Sequence, residues 1–286
     1  MKLAKYFDKI EEGKVHCHLC PHHCVIKPEG LGACRARKNI DGNLFSLNYG
    51  KITSAALDPI EKKPLFNFYP GSRILSAGSF GCNLKCSFCQ NWKIAHDTPR
   101  AQELSPLELT EKATELIPHG NIGIAYTYNE PSIWYEYVLK ASKLAKDKGL
   151  VNVLVTNGFI ERKPLEELLP SIDAMNIDVK AFTAGFYNDI CKASLDNVKQ
   201  TVELASRKCH VEVTTLVIPG LNDSMEEIER LSEWLSSISR EIPLHLSRYF
   251  PNYKMLDVPP TPKETLYKAK EIASRHLAYV YAGNLR

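Results

Sequence analysis

The chain has 286 residues, of which 44% are hydrophobic and 24% are charged, and its formal net charge at pH 7 is +3. This hydrophobic content suffices for a large buried core, and the small basic excess without runs of like charge argues against a nucleic-acid partner. No segment reaches the ~18 apolar residues of a membrane-spanning helix, and residues 1–14 carry no signal-peptide pattern. We therefore expect a cytoplasmic protein with no membrane partner.

The chain contains nine cysteines, and metal binding is their first explanation because disulfides are rare in a reducing cytosol. Cys191 and Cys209 stand alone and are expected to be small buried residues. The first group is Cys17, Cys20, Cys24 and Cys34, with His16, His18, His22 and His23 as spare ligands. Four thiolates complete a zinc site or hold an auxiliary iron–sulfur cluster, and the residues favour neither; disulfides are a weaker third interpretation. We predict a Cys-rich metal-binding extension over residues 1–70, with a hairpin through 44–52.

Beyond residue 70, short apolar runs alternate with helical patterns. The runs are rich in Val, Ile, Leu or Tyr, and they begin at Arg73, Ile122, Val151, Ala174, Val211, Leu244 and Ala278. Helices are predicted after a capping box at Ser105, over 133–148 and 195–207, after Ser224, and from Thr261 to about His276. The alternation predicts an α/β fold with a parallel sheet. About six units fit a partial (β/α)6-type, TIM-like barrel over residues 71–286 better than a doubly wound sheet, because polar motifs follow the strands where barrel sites form.

The second cysteine group, Cys82, Cys86 and Cys89, follows the first strand of this repeat with the spacing Cys-x3-Cys-x2-Cys. Three thiolates on a short loop bind three irons of a [4Fe–4S] cluster and leave the fourth iron without a protein ligand. Reaction chemistry needs such an open position, whereas a structural zinc site needs four ligands, and no fourth Cys or His lies nearby in the sequence. The loop therefore predicts a catalytic cluster, with a zinc site or chance placement as alternatives.

With Phe88 before its last cysteine, the loop resembles the Cys-x3-Cys-x-aromatic-Cys pattern of the radical S-adenosylmethionine (SAM) superfamily. Further stretches resemble pyruvate formate-lyase activating enzymes in order: Tyr128-Asn129-Glu130-Pro131, Thr156-Asn157-Gly158, Asp178-Val179-Lys180, Val217-Ile218-Pro219-Gly220 and, more loosely, His245. The segments CHLCPHHC, GLGACRAR and Tyr281-Ala282-Gly283-Asn284 also resemble the radical SAM component of the AmmeMemoRadiSam system, over nearly the whole chain.

The resemblance implies that SAM binds at the cluster and is cleaved reductively to a 5′-deoxyadenosyl radical, which takes hydrogen from a protein or small-molecule substrate. It implies cofactor-binding roles for Phe88, Asn129, Glu130, Asn157, Asp178, Lys180 and His245. Structural alternatives stay open for three of the motifs. Glu130 suits a helix N-terminus, Asn157 suits a turn, and Asp178 with Lys180 suits a solvated ion pair.

The resemblance also implies partners. The electron donor is expected to be a flavodoxin or a ferredoxin. The target is expected to be a glycyl radical enzyme, one of the AmmeMemoRadiSam partner proteins or a small molecule. A hypothesis from another class is a non-catalytic iron–sulfur or zinc module for electron transfer. Glu130, Asp178 and Lys180 argue against it, because an electron carrier needs no groove for SAM.

Overall fold

The computed structural model describes residues 1–97 and 99–285. Its N-terminal part consists of short strands: β1 (Lys2–Leu3), β2 (Phe7–Lys9), β3 (Val15–Cys17), β4 (Val25–Ile26), β5 (Arg37–Ile40), β6 (Asn43–Ser46), β7 (Lys51–Ile52) and β8 (Ser54–Pro59). Strands β2, β3 and β4 form one antiparallel sheet, and β1, β6 and β5 form another. The first cysteine group therefore lies on small sheets and the turns between them.

The rest of the chain alternates strands and helices. They are β9 (Arg73–Gly78), α1 (Trp92–Ala95), β10 (Gln102–Glu103), α2 (Pro106–Glu115), β11 (Asn121–Tyr126), α3 (Tyr135–Asp147), β12 (Val151–Thr156), α4 (Arg162–Leu168), β13 (Ala174–Asp178), α5 (Ala184–Phe186), α6 (Leu195–Ala205), β14 (His210–Val217), α7 (Met225–Ile238), β15 (Leu244–Arg248), α8 (Lys263–Ala273) and β16 (Val280–Gly283). The capping box predicted for α2 is present, since the Ser105 hydroxyl accepts from the Glu108 amide and Glu108 accepts from the Ser105 amide.

An eight-stranded sheet organises this part, in the order β16-β15-β14-β13-β12-β11-β9-β8. Every pairing is parallel except that of β8 with β9. The edge strands β8 and β16 do not pair with each other in the part of the chain that the structure describes, so the barrel is partial. The α/β class and the parallel sheet are confirmed. Because the strands are parallel, the carboxyl ends of β9 and β11–β15 meet at one edge.

Two features of the N-terminal part differ from expectation. The hairpin predicted through 44–52 is wrong, because β6 pairs with β5 and β7 pairs with β10. The turn lies at Asp41-Gly42 instead, where both residues have positive φ, as a two-residue hairpin turn requires. Strand β8 also extends the barrel sheet, although it lies before residue 70. The division after residue 70 stays a prediction.

The segment from Ile60 to Asn67 covers one face of the sheet near the strand starts. Ile60 and Leu65 are fully buried against Ile74 and Ala174. The backbone amides of Phe66 and Asn67 donate to the carboxylate of Glu212, at 3.0 and 2.8 Å. This end of the sheet is therefore packed, which leaves the carboxyl edge for a site. None of the helices in the described ranges is long and apolar enough to cross a membrane.

Candidate active site

The three-cysteine loop leaves the sheet at the end of β9 and is held there by Asn129. The Asn129 side-chain oxygen accepts from the Ser79 amide at 2.9 Å, and its Nδ2 donates to the carbonyls of Phe80 and Gly81, both at 3.2 Å. Gly81 has φ +88, a conformation that favours glycine. Asn129 therefore fixes the path of the loop, and its predicted contact with a cofactor remains a prediction.

The thiols of Cys82, Cys86 and Cys89 are near enough for one to affect the ionisation of another. Burial raises the pKa of Cys82 well above its usual range, with Glu130 and Cys86 adding to the effect. Burial, and then Cys86, raises the pKa of Cys89 to about 11. Each thiolate disfavours the next because buried like charges repel. A group of positive metal ions removes this penalty, so the donor set suits an iron–sulfur cluster.

Cys191 is a neighbour of this loop that sequence reasoning missed. Its Sγ lies 3.6 Å from that of Cys86, and its carbonyl accepts from the Lys85 amide at 2.9 Å. Cys191 is completely buried, as expected for an isolated cysteine, and it closes a π-helical turn over 187–191. Such turns are frequent at functional sites. A single cysteine more than a hundred positions away carries no signal of this contact.

Asp178 and Lys180 lie beside the loop, at the end of β13. Their side chains form a 2.7 Å ion pair. Burial disfavours the charge of Lys180, but Asp178 and the Cys86 thiol outweigh it and raise the Lys180 pKa. The same two side chains influence the titration of Cys86 and Cys89. The structure therefore places a fixed positive and a fixed negative charge next to two of the three sulfurs, rather than in open solvent.

Glu130 is buried and turned toward the end of β12. Its carboxylate accepts from the Ser132 amide at 2.8 Å, the Thr156 hydroxyl at 2.6 Å and the Asn157 amide at 2.8 Å. Burial raises its pKa although these donors act in the opposite direction. Glu130 caps the helical turn 131–134, so the structural role that the sequence offered for it, an acidic residue at a helix N-terminus, is present. These contacts give it a role in joining the ends of β11 and β12.

Asn157 reaches the cysteine loop directly. Its Nδ2 donates to the Cys82 sulfur at 3.6 Å and to the Asn83 side-chain oxygen at 2.9 Å. Asn83 in turn donates to the Phe159 carbonyl at 2.6 Å. Hydrogen bonds to a ligand sulfur are among the factors that set the potential of an iron–sulfur cluster. The turn predicted for Asn157 is present, and the side chain also contacts a predicted ligand.

Two other predicted cofactor-binding residues, Phe88 and His245, have aromatic neighbours within the fold. Phe88 is buried and packs on Phe186, with ring centroids 6.0 Å apart, so it supports the loop from the core. His245 lies near the start of β15, where its Nε2 is 2.6 Å from Glu212 and its ring stacks on Tyr281. The strand register aligns His245 with Thr214 and, through it, with Asp178, and its role in binding the cofactor stays a prediction.

The N-terminal cysteines form a second centre. Cys17, Cys20, Cys24 and Cys34 line one small cavity with Leu19, Ile26, Ile133 and Arg37. Burial raises the pKa of the Cys20 thiol to about 12, and the other three thiols add to it. Arg37 supplies a buried positive charge 3.8 Å from the Cys17 sulfur and forms an ion pair with buried Glu136.

In neither cysteine group do three sulfurs all lie within 4.8 Å of one another, among the residues that the structure describes. Two other groups of described residues do bring three potential ligand atoms within 4.8 Å of one another. They are His16, His18 and His23, and Glu229, Glu233 and His276. Tetrahedral zinc holds its sulfurs only about 3.8 Å apart, from Zn–S bonds of about 2.3 Å.

The two centres touch. A Cβ added at Gly81 would lie 2.7 Å from the Cys34 carbonyl oxygen and 3.3 Å from Ile133. His22 Nε2 lies 2.6 Å from the Asn83 carbonyl, inside the three-cysteine loop. The N-terminal extension is therefore packed directly on the loop, and glycine at position 81 permits the close approach.

Known proteins resemble this chain in sequence and in fold. An uncharacterized protein of Methanocaldococcus jannaschii is 44% identical over 100% of this chain and 86% of the relative. The pyruvate formate-lyase 1-activating enzyme of Escherichia coli K12 is 24% identical over 72% of this chain and 90% of that enzyme. A solved radical SAM methyltransferase from Sphaerobacter thermophilus has a TM-score of 0.59 at 14% identity, over 76% of this chain and 67% of its own, which is a likeness in fold.

The sequence model of the Radical SAM superfamily matches residues 78–235, more than half of the chain. The matched stretch begins where β9 ends and contains the cysteine loop, the Glu130 turn and the ends of β12, β13 and β14. It therefore spans the edge of the sheet where these side chains meet. By this match, the chain belongs to the radical SAM superfamily.

Proposed function

We propose that this chain cleaves SAM reductively at a [4Fe–4S] cluster held by Cys82, Cys86 and Cys89. When bound, such a cluster supplies the electron that splits SAM into methionine and a 5′-deoxyadenosyl radical, which takes a hydrogen atom from the substrate. The observation that carries the proposal is the placement of three cysteines on one loop at the carboxyl edge of a parallel sheet, beside the Asp178–Lys180 ion pair, where sites of this fold form.

The polar residues around the loop have separable tasks in this proposal. Lys180, kept protonated by Asp178, offers a cation to the carboxylate of bound SAM. Asn157 orients Cys82 through its 3.6 Å hydrogen bond. Asn129 and Glu130 fix the loop and the adjoining turn, so the site is organised before a ligand arrives.

We infer that the second centre, Cys17, Cys20, Cys24 and Cys34, binds zinc or another [4Fe–4S] cluster. A cubane attaches each thiolate to a different iron and so holds them further apart than a single zinc ion does. Arg37 offsets the negative charge that four thiolates bring into a buried place.

The proposed electron donor is a flavodoxin or a ferredoxin, and the contact between the extension and the loop gives electrons a short path between the centres. The proposed substrate is a protein, because one relative is by its name an activating enzyme for pyruvate formate-lyase. Partners from the AmmeMemoRadiSam system remain a prediction from the sequence resemblance.

The decisive experiment is anaerobic reconstitution with iron and sulfide, reduction with dithionite, and measurement of 5′-deoxyadenosine after addition of SAM. We expect Cys86→Ala to abolish the product. Cys209→Ala, which alters an isolated cysteine at the opposite end of the sheet, should behave like the unaltered protein. Product from Cys86→Ala at the unaltered rate contradicts the proposal.

A further variant tests the open iron. If Cys191 supplied a fourth ligand, Cys191→Ala would lower the iron content. We expect this variant to retain its iron and to form 5′-deoxyadenosine, because the Cys191 thiol is completely buried and contacts the Cys86 thiol. A filled cluster in the unaltered protein without any SAM cleavage would instead indicate an electron-transfer module.

A further inference from the structure

Three histidines form a compact group on the N-terminal extension, apart from the cysteines. One ring nitrogen each of His16, His18 and His23 lies within 4.8 Å of the others. The ring centroids are 4.2 Å apart for His16 and His18, 5.9 Å for His16 and His23, and 5.8 Å for His18 and His23. Three imidazoles this close would repel one another if they were protonated together.

The group lies on the other side of β3 from the four-cysteine cavity. Side chains alternate along a strand, and Val15 and Cys17 face the core while His16 is half-exposed. His18 continues the exposed face just after the strand ends. His23 reaches the same place from the turn before Cys24, where its φ is +44, an uncommon value for a side chain of this size.

Two carboxylates complete the arrangement. The Nε2 atom of His18 lies 2.8 Å from Asp8, and that of His23 lies 3.0 Å from Glu161. A carboxylate that accepts from Nε2–H leaves Nδ1 with a free electron pair, which is the tautomer that binds a metal. Carboxylates paired in this way with metal-binding histidines are a recurrent feature of zinc sites.

We propose that His16, His18 and His23 bind a divalent transition-metal ion of the zinc class. Three imidazoles and one water complete a tetrahedral shell, and imidazole is a preferred ligand of zinc. The supporting carboxylates come from two parts of the fold. Asp8 is on β2, and Glu161 precedes α4 of the barrel, where its amide also donates to the Leu19 carbonyl at 3.0 Å. The ion therefore fastens the extension to the barrel.

The test uses the full chain with its cysteine centres filled by anaerobic reconstitution and loosely bound metal removed. Zn²⁺ is titrated by isothermal calorimetry and counted by elemental analysis. We expect one further Zn²⁺ per chain. His18→Ala should abolish this saturable binding, and Asp8→Asn should weaken it ~10–100-fold. His276→Ala is the matched control, because His276 belongs to the rival group with Glu229 and Glu233, and it should change nothing.

Each other outcome contradicts the proposal. Absence of further Zn²⁺ in the unaltered chain means that the histidines only pair with their carboxylates. Binding that survives both His18→Ala and Asp8→Asn places the ion elsewhere. Binding that Cys17→Ser removes while His18→Ala preserves it assigns the ion to the cysteines. Since Asp8 is exposed, Asp8→Asn leaves the packing intact and keeps the test valid if His18→Ala fails to fold.

Discussion

The chain carries two cysteine centres that touch but are built differently. The three-cysteine loop leaves one strand of the large sheet and is surrounded by polar side chains from three others, Asn129, Asn157 and Asp178 with Lys180. The N-terminal centre has four cysteines on short strands and turns, and its cavity is lined mainly by apolar side chains with one cation, Arg37. Three sulfurs in polar surroundings suit a site that must admit a ligand, and four sulfurs in apolar surroundings suit a closed one.

Removal of one sulfur from each centre should have the largest effect and should affect the two centres differently. Cys89→Ala should lose all dithionite-driven SAM cleavage, because it removes one of the three thiols that are proposed to hold the cluster. Cys34→Ala should lose about half of the bound iron, if both centres hold four irons, yet still form 5′-deoxyadenosine. Iron and zinc analysis together with product measurement checks both. Equal loss of activity in two folded variants would show that the centres are not independent.

The next largest effect concerns the buried charge pair behind the N-terminal centre. Arg37→Ala leaves the carboxylate of Glu136 buried without its cation, so the free energy of unfolding should fall by about 3–5 kcal/mol. Lys38→Ala, next to it on β5, removes a partner of the exposed Glu29 and should cost about 0–1 kcal/mol. Urea denaturation of both variants gives the comparison. Equal losses would mean that the Arg37 pair contributes no more than a surface pair.

A smaller effect is expected at the loop. Asn157→Ala removes the hydrogen bond to the Cys82 sulfur, and SAM cleavage should slow ~10–100-fold while the iron content stays unchanged. A shift in the reduction potential of the cluster should accompany the lower rate, because hydrogen bonds to the sulfurs tune that potential. Asn197→Ala, at a position on α6, serves as a control for loss of an amide side chain. An unaltered potential and rate would remove Asn157 from the site.

The smallest effect tests the contact between the centres. Gly81→Ala places a Cβ 2.7 Å from the Cys34 carbonyl oxygen, so it should cost about 1 kcal/mol more than Gly149→Ala. Gly149 also has a positive φ, +73, but nothing lies within 4 Å of an added Cβ. The two variants share the backbone strain and differ in the contact. Equal thermal stability of the two variants would indicate that the extension moves without cost to make room for the added methyl group.

Local sequence patterns were enough to predict the fold class and the grouping of seven cysteines into two sets. The apolar runs that begin at Arg73, Val151 and Ala174 match strand starts, because parallel strands buried on both faces show as continuous apolar segments. The spacing of Cys82, Cys86 and Cys89 on one loop also needs no tertiary information, since residues so near in the chain are close in space. The capping box of α2 is equally local.

Contacts between residues far apart in the chain could not be predicted from such local patterns. Cys191 meets Cys86 because a π-helical turn, rather than a local sequence pattern, sets its position. The hairpin at Asp41-Gly42 and the entry of β8 into the sheet depended in the same way on competition among possible strand partners. Glu130 faces the end of β12 because a buried carboxylate takes the nearest amide donors, and a motif match carries no information about where those donors lie.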